Sequence, residues 1–543
     1  MSHSRATSTK EYSDGRRERI SHFRHIIDQA GVTHRVEAWN FDGSGTEDNP
    51  YIVLWIDDDA RNPMLYSRVK KWTITAIAAL STLAVTLLSS VYAGGREGIV
   101  QEFGVGGETF TLGVSLFVLG FALGPLLWAP LSEIFGRQIL YVCTYGALTV
   151  FSAGAAGSKN IQTLLILRFL AGAVGSSPLT GAVGVIADLF VAKERGPAMS
   201  LFAAAPFLGP VLGPAIGGFI GETVGWRWIE GVMAIFTGML AWKAQINGVL
   251  WLAGTFVIPE TYAPILQRRR AQKLSQMTGK IYRSRGDVDQ GQPTFRQVFR
   301  TSLLRPWLLL FREPIVLLLS IYMAIIYGML YMLLNAFPIV YQQGRGWSPG
   351  LGGLAFLGIA IGSFVAILFA LWDNKRYGRM SDYHQGFAPP ETRLPCVMLG
   401  GILVPIGFFW FAWTNYPSVH YLVPIAAGIP MGAGMILIFL GLVLYLIDSY
   451  TLFAASVLAA NGVLRSLFGA TFPLFTDQMY DSLGIHWASS IPAFLALACA
   501  PFPFLFYRYG AAIRSRCKYA EESQKLMESI QARTPAVGQR NTA

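Results

Sequence analysis

Twelve stretches of this 543-residue chain are apolar for the length of a membrane crossing. They fall at approximately 72–94, 109–130, 138–157, 161–190, 197–221, 228–258, 315–342, 350–372, 394–413, 421–447, 452–475 and 487–508. A helix needs about 20 apolar residues to cross the hydrocarbon core. Residues 72–93 and 425–447 contain no Asp, Glu, Lys or Arg at all. One such run fits the buried core of a soluble protein, but a dozen do not. Only 14% of the residues are charged, against roughly a quarter in soluble domains. The predicted fold class is an all-α membrane protein of 12 transmembrane helices in two six-helix bundles.

The division follows from a polar stretch, 260–313, between the sixth and seventh runs. It predicts a mixed-charge, poorly ordered cytosolic tail at 1–71, a first bundle at 72–258, a basic cytosolic linker at 259–314, a second bundle at 315–510 and a cytosolic tail at 511–543. Basic residues orient the chain. One side holds Arg68, Lys70, Lys71, Arg137, Lys193, Arg195, Arg268, Arg269, Arg270, Lys273, Lys375, Arg376, Arg379, Arg508, Arg514, Arg516 and Lys518. The other holds only Arg96, Lys159, Arg227 and Arg345, which places both termini in the cytoplasm. Topology therefore accounts for the net charge of +11, and no nucleic-acid partner is called for; the partner is the lipid bilayer. The polar first fifty residues lack a signal-peptide pattern, so the first membrane helix is expected to act as its own signal. Four scattered cysteines suggest neither disulfides nor a metal site.

The halves echo one another. Leu119-Gly-Phe-Ala-Leu-Gly124 recurs as Leu357-Gly-Ile-Ala-Ile-Gly362, and each precedes a Gly-Arg pair, Gly136-Arg137 and Gly378-Arg379, read as a short basic turn. Internal duplication of this kind puts a transporter's substrate site at the interface of the repeats. The sixth run is out of pattern: it is about ten residues too long for a bilayer, and its middle, 241–247, carries Lys243. Either residues 239–249 are an insertion in the gene model, or the helix is broken with Lys243 in a polar cavity.

Charged and amide residues inside apolar runs are candidates for function. Arg168 lies about seven residues into the fourth run, where it serves function or snorkels to an interface. Asn461 and Arg465 share a helix face in the eleventh run and are candidates to line a substrate cavity. Tyr322, Tyr327, Tyr331 and Asn335 form a polar-aromatic group in the seventh, read as cavity wall or else as an interface belt or helix packing. Gly209, Gly213, Pro214, Gly217 and Gly218 make a seam in the fifth that allows close backbone approach and a bend. No carboxylate sits at the centre of any run. Asp188 and Glu230, near helix ends, are the candidates for a titrating group.

Several motifs resemble the major facilitator superfamily. The turn Gly124-Pro-Leu-Leu-Trp-Ala-Pro-Leu-Ser-Glu-Ile-Phe-Gly-Arg137 is similar to its loop signature, with Glu133 where an Asp is usual. Gly136 would permit the tight turn, and Arg137 would pair with carboxylates to gate the cytoplasmic side or simply anchor it. Gly209-Pro-Val-Leu-Gly-Pro-Ala-Ile-Gly-Gly218 resembles the antiporter motif of drug:proton exchangers, and Arg168 matches the arginine that those exporters associate with proton coupling. From residue 53 to 519 the chain looks like the fungal twelve-span drug:proton antiporters, notably at Val53-Leu-Trp-Ile-Asp-Asp-Asp-Ala-Arg-Asn-Pro63, Gly225-Trp-Arg-Trp228 and Pro259-Glu-Thr-Tyr-Ala-Pro264. The resemblance implies a monomeric plasma-membrane pump that exports amphiphilic drugs, toxins or secondary metabolites by alternating access. It further implies protons as the exchanged species and a proton gradient, with no bound cofactor, as the energy source.

Two rivals stand beside export. Proton-coupled uptake of a polyamine or sugar needs charged or amide-rich spans, which are sparse here. A receptor or scaffold would not couple substrate to proton flux. An enzyme is disfavoured, because the chain shows no His cluster, nucleophile arrangement or phosphate loop.

Overall fold

The computed structural model describes residues 20–191, 194–237, 255–291, 294–383 and 388–533. The first half forms α1 (Arg68–Val91), α2 (Gly107–Phe135), α3 (Arg137–Ala156), α4 (Ile161–Leu189), α5 (Arg195–Val224) and α6 (Trp226–Thr237). A linker with α7 (Ala263–Thr278) and α8 (Phe295–Arg312) leads to α9 (Pro314–Phe337), α10 (Leu357–Tyr383), α11 (Leu394–Thr414), α12 (Gly428–Ser449), α13 (Ala454–Cys499) and α14 (Pro501–Arg514). A last helix, α15 (Lys518–Arg533), follows.

Among the described residues ten segments are long and apolar enough to cross a membrane, and one of them, Thr451–Arg514, crosses twice because Gly484 breaks α13 at φ 72°. The remaining crossing starts with α6, and residues 239–249, with the question of an insertion there, lie outside the described residues. Local chemistry sets the helix starts. Ser67 accepts the Lys70 N–H at 3.3 Å to cap α1, and Asn160 accepts that of Thr163 at 2.8 Å to cap α4. Pro314 opens α9, where its missing N–H leaves no bond unmade.

The repeated hexamer performs the same packing in both halves. Gly120 and Gly124 bring α2 against the backbone of Gly172 and Ala173 in α4. Gly358 and Gly362 bring α10 against Ile425, Ile429 and Ala433, on and just before α12. The Gly-Arg echo does not extend to a second turn. Gly136 ends α2 at φ 94°, whereas Gly378 and Arg379 lie inside α10, which continues to Tyr383. Gly378 has open space around it and helical backbone, so nothing there breaks the helix. The halves meet where α2 packs along α13 and α5 along α10.

The composition of residues 1–71 predicts a disordered tail, but from residue 20 onward the chain folds onto the linker. β1 (Tyr51–Val53) pairs in parallel with β2 (Tyr282–Ser284), Tyr51 opposite Tyr282. Val36, Phe41, Val53 and Ile56 form a small apolar core with Ala271 and Leu274 of α7. Two fully buried arginines tie the layers together. Arg270 pairs with Asp59 at 2.5 Å, and Arg61 donates to Tyr66 Oη at 2.6 Å and to the Glu260 carbonyl at 3.2 Å. The C-terminal segment docks at the same end, where the Tyr519 N–H donates to Glu313 Oε1 at 3.1 Å. This end, which carries linker and terminal segments, is called the terminal face.

Candidate functional site

At the end opposite the terminal face, the halves are joined by polar contacts. Arg96 pairs with Asp477 at 3.1 Å, and Gln478 donates to Glu108 at 3.1 Å. Asn335 of α9 donates across to Thr111 of α2 at 3.4 Å and, within its own half, to the Pro473 carbonyl at 3.1 Å. The Gly350 N–H donates to Glu222 at 2.9 Å. Small residues make the closure tight: a Cβ on Gly218 would stand 2.5 Å from the Pro349 carbonyl oxygen. The rest of the seam serves the first half. Gly209, Gly213 and Gly217 lie against Thr86, Ser90 and Val91 of α1, and the Thr86 and Ser90 hydroxyls donate to the carbonyls of Ala205 and Gly209 at 3.0 and 3.2 Å. Pro214 is one of three prolines inside α5.

Beneath that closure lies a cavity of about 440 Å³. Its deep part is lined by Phe121, Phe439, Asn461 and Arg465, and it reaches the surface at the terminal face beside the exposed Glu133, Thr451 and Leu452. The wall is mostly apolar, with Leu179, Phe202, Val443 and Leu458 among it. A roomy apolar cleft with a few polar groups is the usual form of a small-molecule site. Closed at one end and open at the other, it has the geometry of one state of an alternating-access cycle.

Above the cavity, Arg168 of α4 and Glu230 of α6 form an ion pair at 1% and 2% exposure. Arg168 Nε also donates to the Gly113 carbonyl at 2.8 Å, its second terminal nitrogen faces the Leu88 and Ser89 carbonyls at 3.4 and 3.3 Å, and its guanidinium lies over Tyr92 and Phe117. Every part of this cation is engaged.

A second cluster sits at the terminal face. Arg137 pairs with Asp188 at 2.7 Å, and the Thr261 hydroxyl donates to the same carboxylate oxygen at 3.1 Å. Glu260 accepts the N–H groups of Arg137 and Gln138 at 3.1 and 3.2 Å and so caps α3. Arg137 Cζ lies 5.1 Å from the Tyr262 ring, whose phenol burial pushes up to about 12. Gly136 is required twice here: its φ is positive, and a Cβ would meet the Glu260 carboxylate. The second half has its own group, in which Asp448 accepts from Arg393 at 3.1 Å and from Tyr377 at 3.2 Å.

Residues 74–473 match the Major Facilitator Superfamily profile. The chain belongs to the major facilitator superfamily. It is a multi-pass membrane transporter. The MFS-type efflux pump MFS2 of Trichophyton rubrum is 62% identical over 512 residues, 94% of this chain and 84% of that one. The multidrug transporter mdrA of Aspergillus fumigatus is 60% identical over 513 residues, 94% and 83%. The efflux pump FUB11 of Gibberella moniliformis is 52% identical over 498 residues, 92% and 82%. Among solved structures, the proton:xylose symporter XylE, 17% identical, superposes with a TM-score of 0.58 over 81% of this chain and 97% of its own, which supports the fold.

The residues singled out in the transporter's sequence separate into three places. Asn461 and Arg465 line the cavity. Tyr327 and Tyr331 are buried behind the wall and do not line it: Arg465 lies over the Tyr327 ring, and Tyr331 bonds Ser89 across the halves at 2.7 Å. Tyr322 and Asn335 are not cavity residues. Tyr322 abuts Gly401 of α11, and Asn335 belongs to the closure through its bond to Thr111. Asp188 and Glu230, grouped as titrating candidates, occupy separate clusters with different arginines. Asn374 and Arg393 escape a reading by motif, and Glu260, although inside the quoted Pro259–Pro264 stretch, escapes one as a helix cap, because each acts through a partner distant in sequence.

Proposed function

We propose that this transporter exports amphiphilic small molecules, such as drugs, toxins or secondary metabolites, from the cytosol across the plasma membrane of a fungal cell. The observation that carries this reading is the apolar cavity, open at the terminal face and closed at the other. The positive-inside rule assigns that basic face to the cytosol. Three relatives more than 50% identical bear efflux-pump or multidrug-transporter names, which supports the same direction.

Movement is by rocking of the two halves about the cavity, with no bound cofactor and with a proton gradient as the energy source. The protein works as a monomer. Glu230 is the proposed proton carrier: protonation would release Arg168 and loosen α6 from α4, so the pair couples protons to the outer helix ends. The Arg137–Asp188 pair would hold the first half together at the cytosolic side.

Inside-out membrane vesicles decide the direction. With the interior acidified, they should accumulate a fluorescent amphiphile, and a protonophore should abolish accumulation. Accumulation in right-side-out vesicles acidified outside would instead mean uptake, and no proton-dependent movement in either would leave a non-transporting protein.

A further inference from the structure

Two arginines lie within the membrane helices near the cavity, and their surroundings differ. Arg168 is paired and fully hydrogen-bonded. Arg465, on α13, has no ion-pair partner among the described residues, and its Nε is buried with no acceptor. Its Cζ lies 4.8 Å from the centroid of Tyr327 and 5.0 Å from that of Phe439. Such contacts stabilise a cation but leave its N–H groups unspent. Asn461, one turn earlier on the same helix, also borders this space, but its amide nitrogen is spent on Ser320 Oγ at 3.3 Å and Met323 Sδ at 3.2 Å, which leaves Arg465 as the donor.

A buried guanidinium without a counter-charge is costly and is kept only where something supplies one. Toward the mouth the charges balance: Arg137 is paired with Asp188, and Arg195 stands with Glu133. Arg465 is therefore the uncompensated charge among the described residues that line the cavity, and it favours an anion inside it.

We infer that the transported molecule is an amphiphilic organic acid, carried as its anion, whose carboxylate docks on Arg465. The planar guanidinium presents parallel N–H donors that match both oxygens of a carboxylate. The apolar body then lies along Phe121, Phe439 and Leu458. This assignment rests on the export reading for its direction. An inside-negative membrane potential favours exit of an anion, so charge on the substrate assists export.

The test uses the full chain, purified and in proteoliposomes, with naphthaleneacetate and its primary amide as a probe pair matched in shape. The acid should bind about tenfold more tightly than the amide. Arg465→Gln should bring the acid to the level of the amide, and Arg465→Lys should keep an intermediate preference. Equal binding of the two probes by the native protein, or an unchanged preference in Arg465→Gln, overturns the proposal. The native ratio is read without any variant, so a poorly folding substitution leaves the test intact. Failure of the export reading looks different: the acid preference in binding persists while no amphiphile, acidic, neutral or cationic, leaves the liposomes.

Discussion

Arg168 on α4 and Glu230 on α6, 62 positions apart, form an ion pair that is almost completely buried. Removing one partner strands the other charge, at a cost of roughly 3–5 kcal/mol, while removing both is far less harmful. Arg168→Ala should therefore lower the thermal midpoint in detergent and abolish export. The double substitution Arg168→Met with Glu230→Leu should recover most of the midpoint and still not pump. Proton-driven export by the double variant would remove the pair from coupling and leave it a packing feature.

Glu260 completes the turn that Gly136 makes. Its carboxylate collects four N–H groups, from Arg137, Gln138, Thr261 and Tyr262, at 2.9–3.2 Å. Loss of a helix cap costs about 1–2 kcal/mol, so Glu260→Ala should lower the midpoint accordingly. Glu260→Gln, which keeps an accepting oxygen, should lose less. Equal midpoints for all three proteins would mean that α3 starts without this cap.

Hydropathy made the spans legible because each needs only length and apolar character. It could not say which face of a span looks into the cavity. Tyr322 and Tyr327 differ by five positions, and only Tyr327 meets Arg465. Arg465 was visible as a charge in an apolar run, but its lack of a partner is a property of the packed bundle. The order in residues 20–67 was hidden for a related reason. Val53 and Ile56 have no helical or strand period around them, and their apolar partners, Ala271 and Leu274, lie more than two hundred positions away. Glu260 was visible inside the Pro259–Pro264 motif, but its capping role was not, because a carboxylate in a polar linker has no evident partner until α3 is placed above it.

Gly218 is the seam glycine that touches the other half. A methyl there would face the Pro349 oxygen at 2.5 Å and Gly350 Cα at 2.8 Å, both backbone and neither free to rotate away. Gly218→Ala should pry the closure open. Cysteines at positions 96 and 477, which replace a 3.1 Å ion pair, should then cross-link less completely than in the parent. Gly378→Ala, with nothing within 4 Å, should leave the yield unchanged. Equal yields from both would show that the closure tolerates the methyl.

Docking of the N-terminal segment should weaken in mild acid through His25. This imidazole is 5% exposed, packs edge-on against Tyr66 and shares a 3.3 Å hydrogen bond with it. Burial, then the charges of Lys70, Arg61 and His22, push its pKa from 6.5 down to about 3. The undocked segment therefore binds the proton more readily, so docking is fully stable above about pH 6.5 and loses stability as pH falls through the window down to 3. The slope is at most about 1.4 kcal/mol per pH unit, or about 2 kcal/mol between pH 7 and 5. Asp28 does not compete between pH 7 and 5. Burial raises its pKa, hydrogen bonds from Lys273 and Gly31 lower it more, and its net shift is downward from 3.8, so it stays ionised over that range. Hydrogen exchange of residues 20–67, corrected for intrinsic rates, should accelerate at pH 5 in the native protein. In His25→Phe, which keeps an aromatic ring against Tyr66, it should not. The same acid sensitivity in the variant would place the titrating group elsewhere in the docked segment or the linker beneath it.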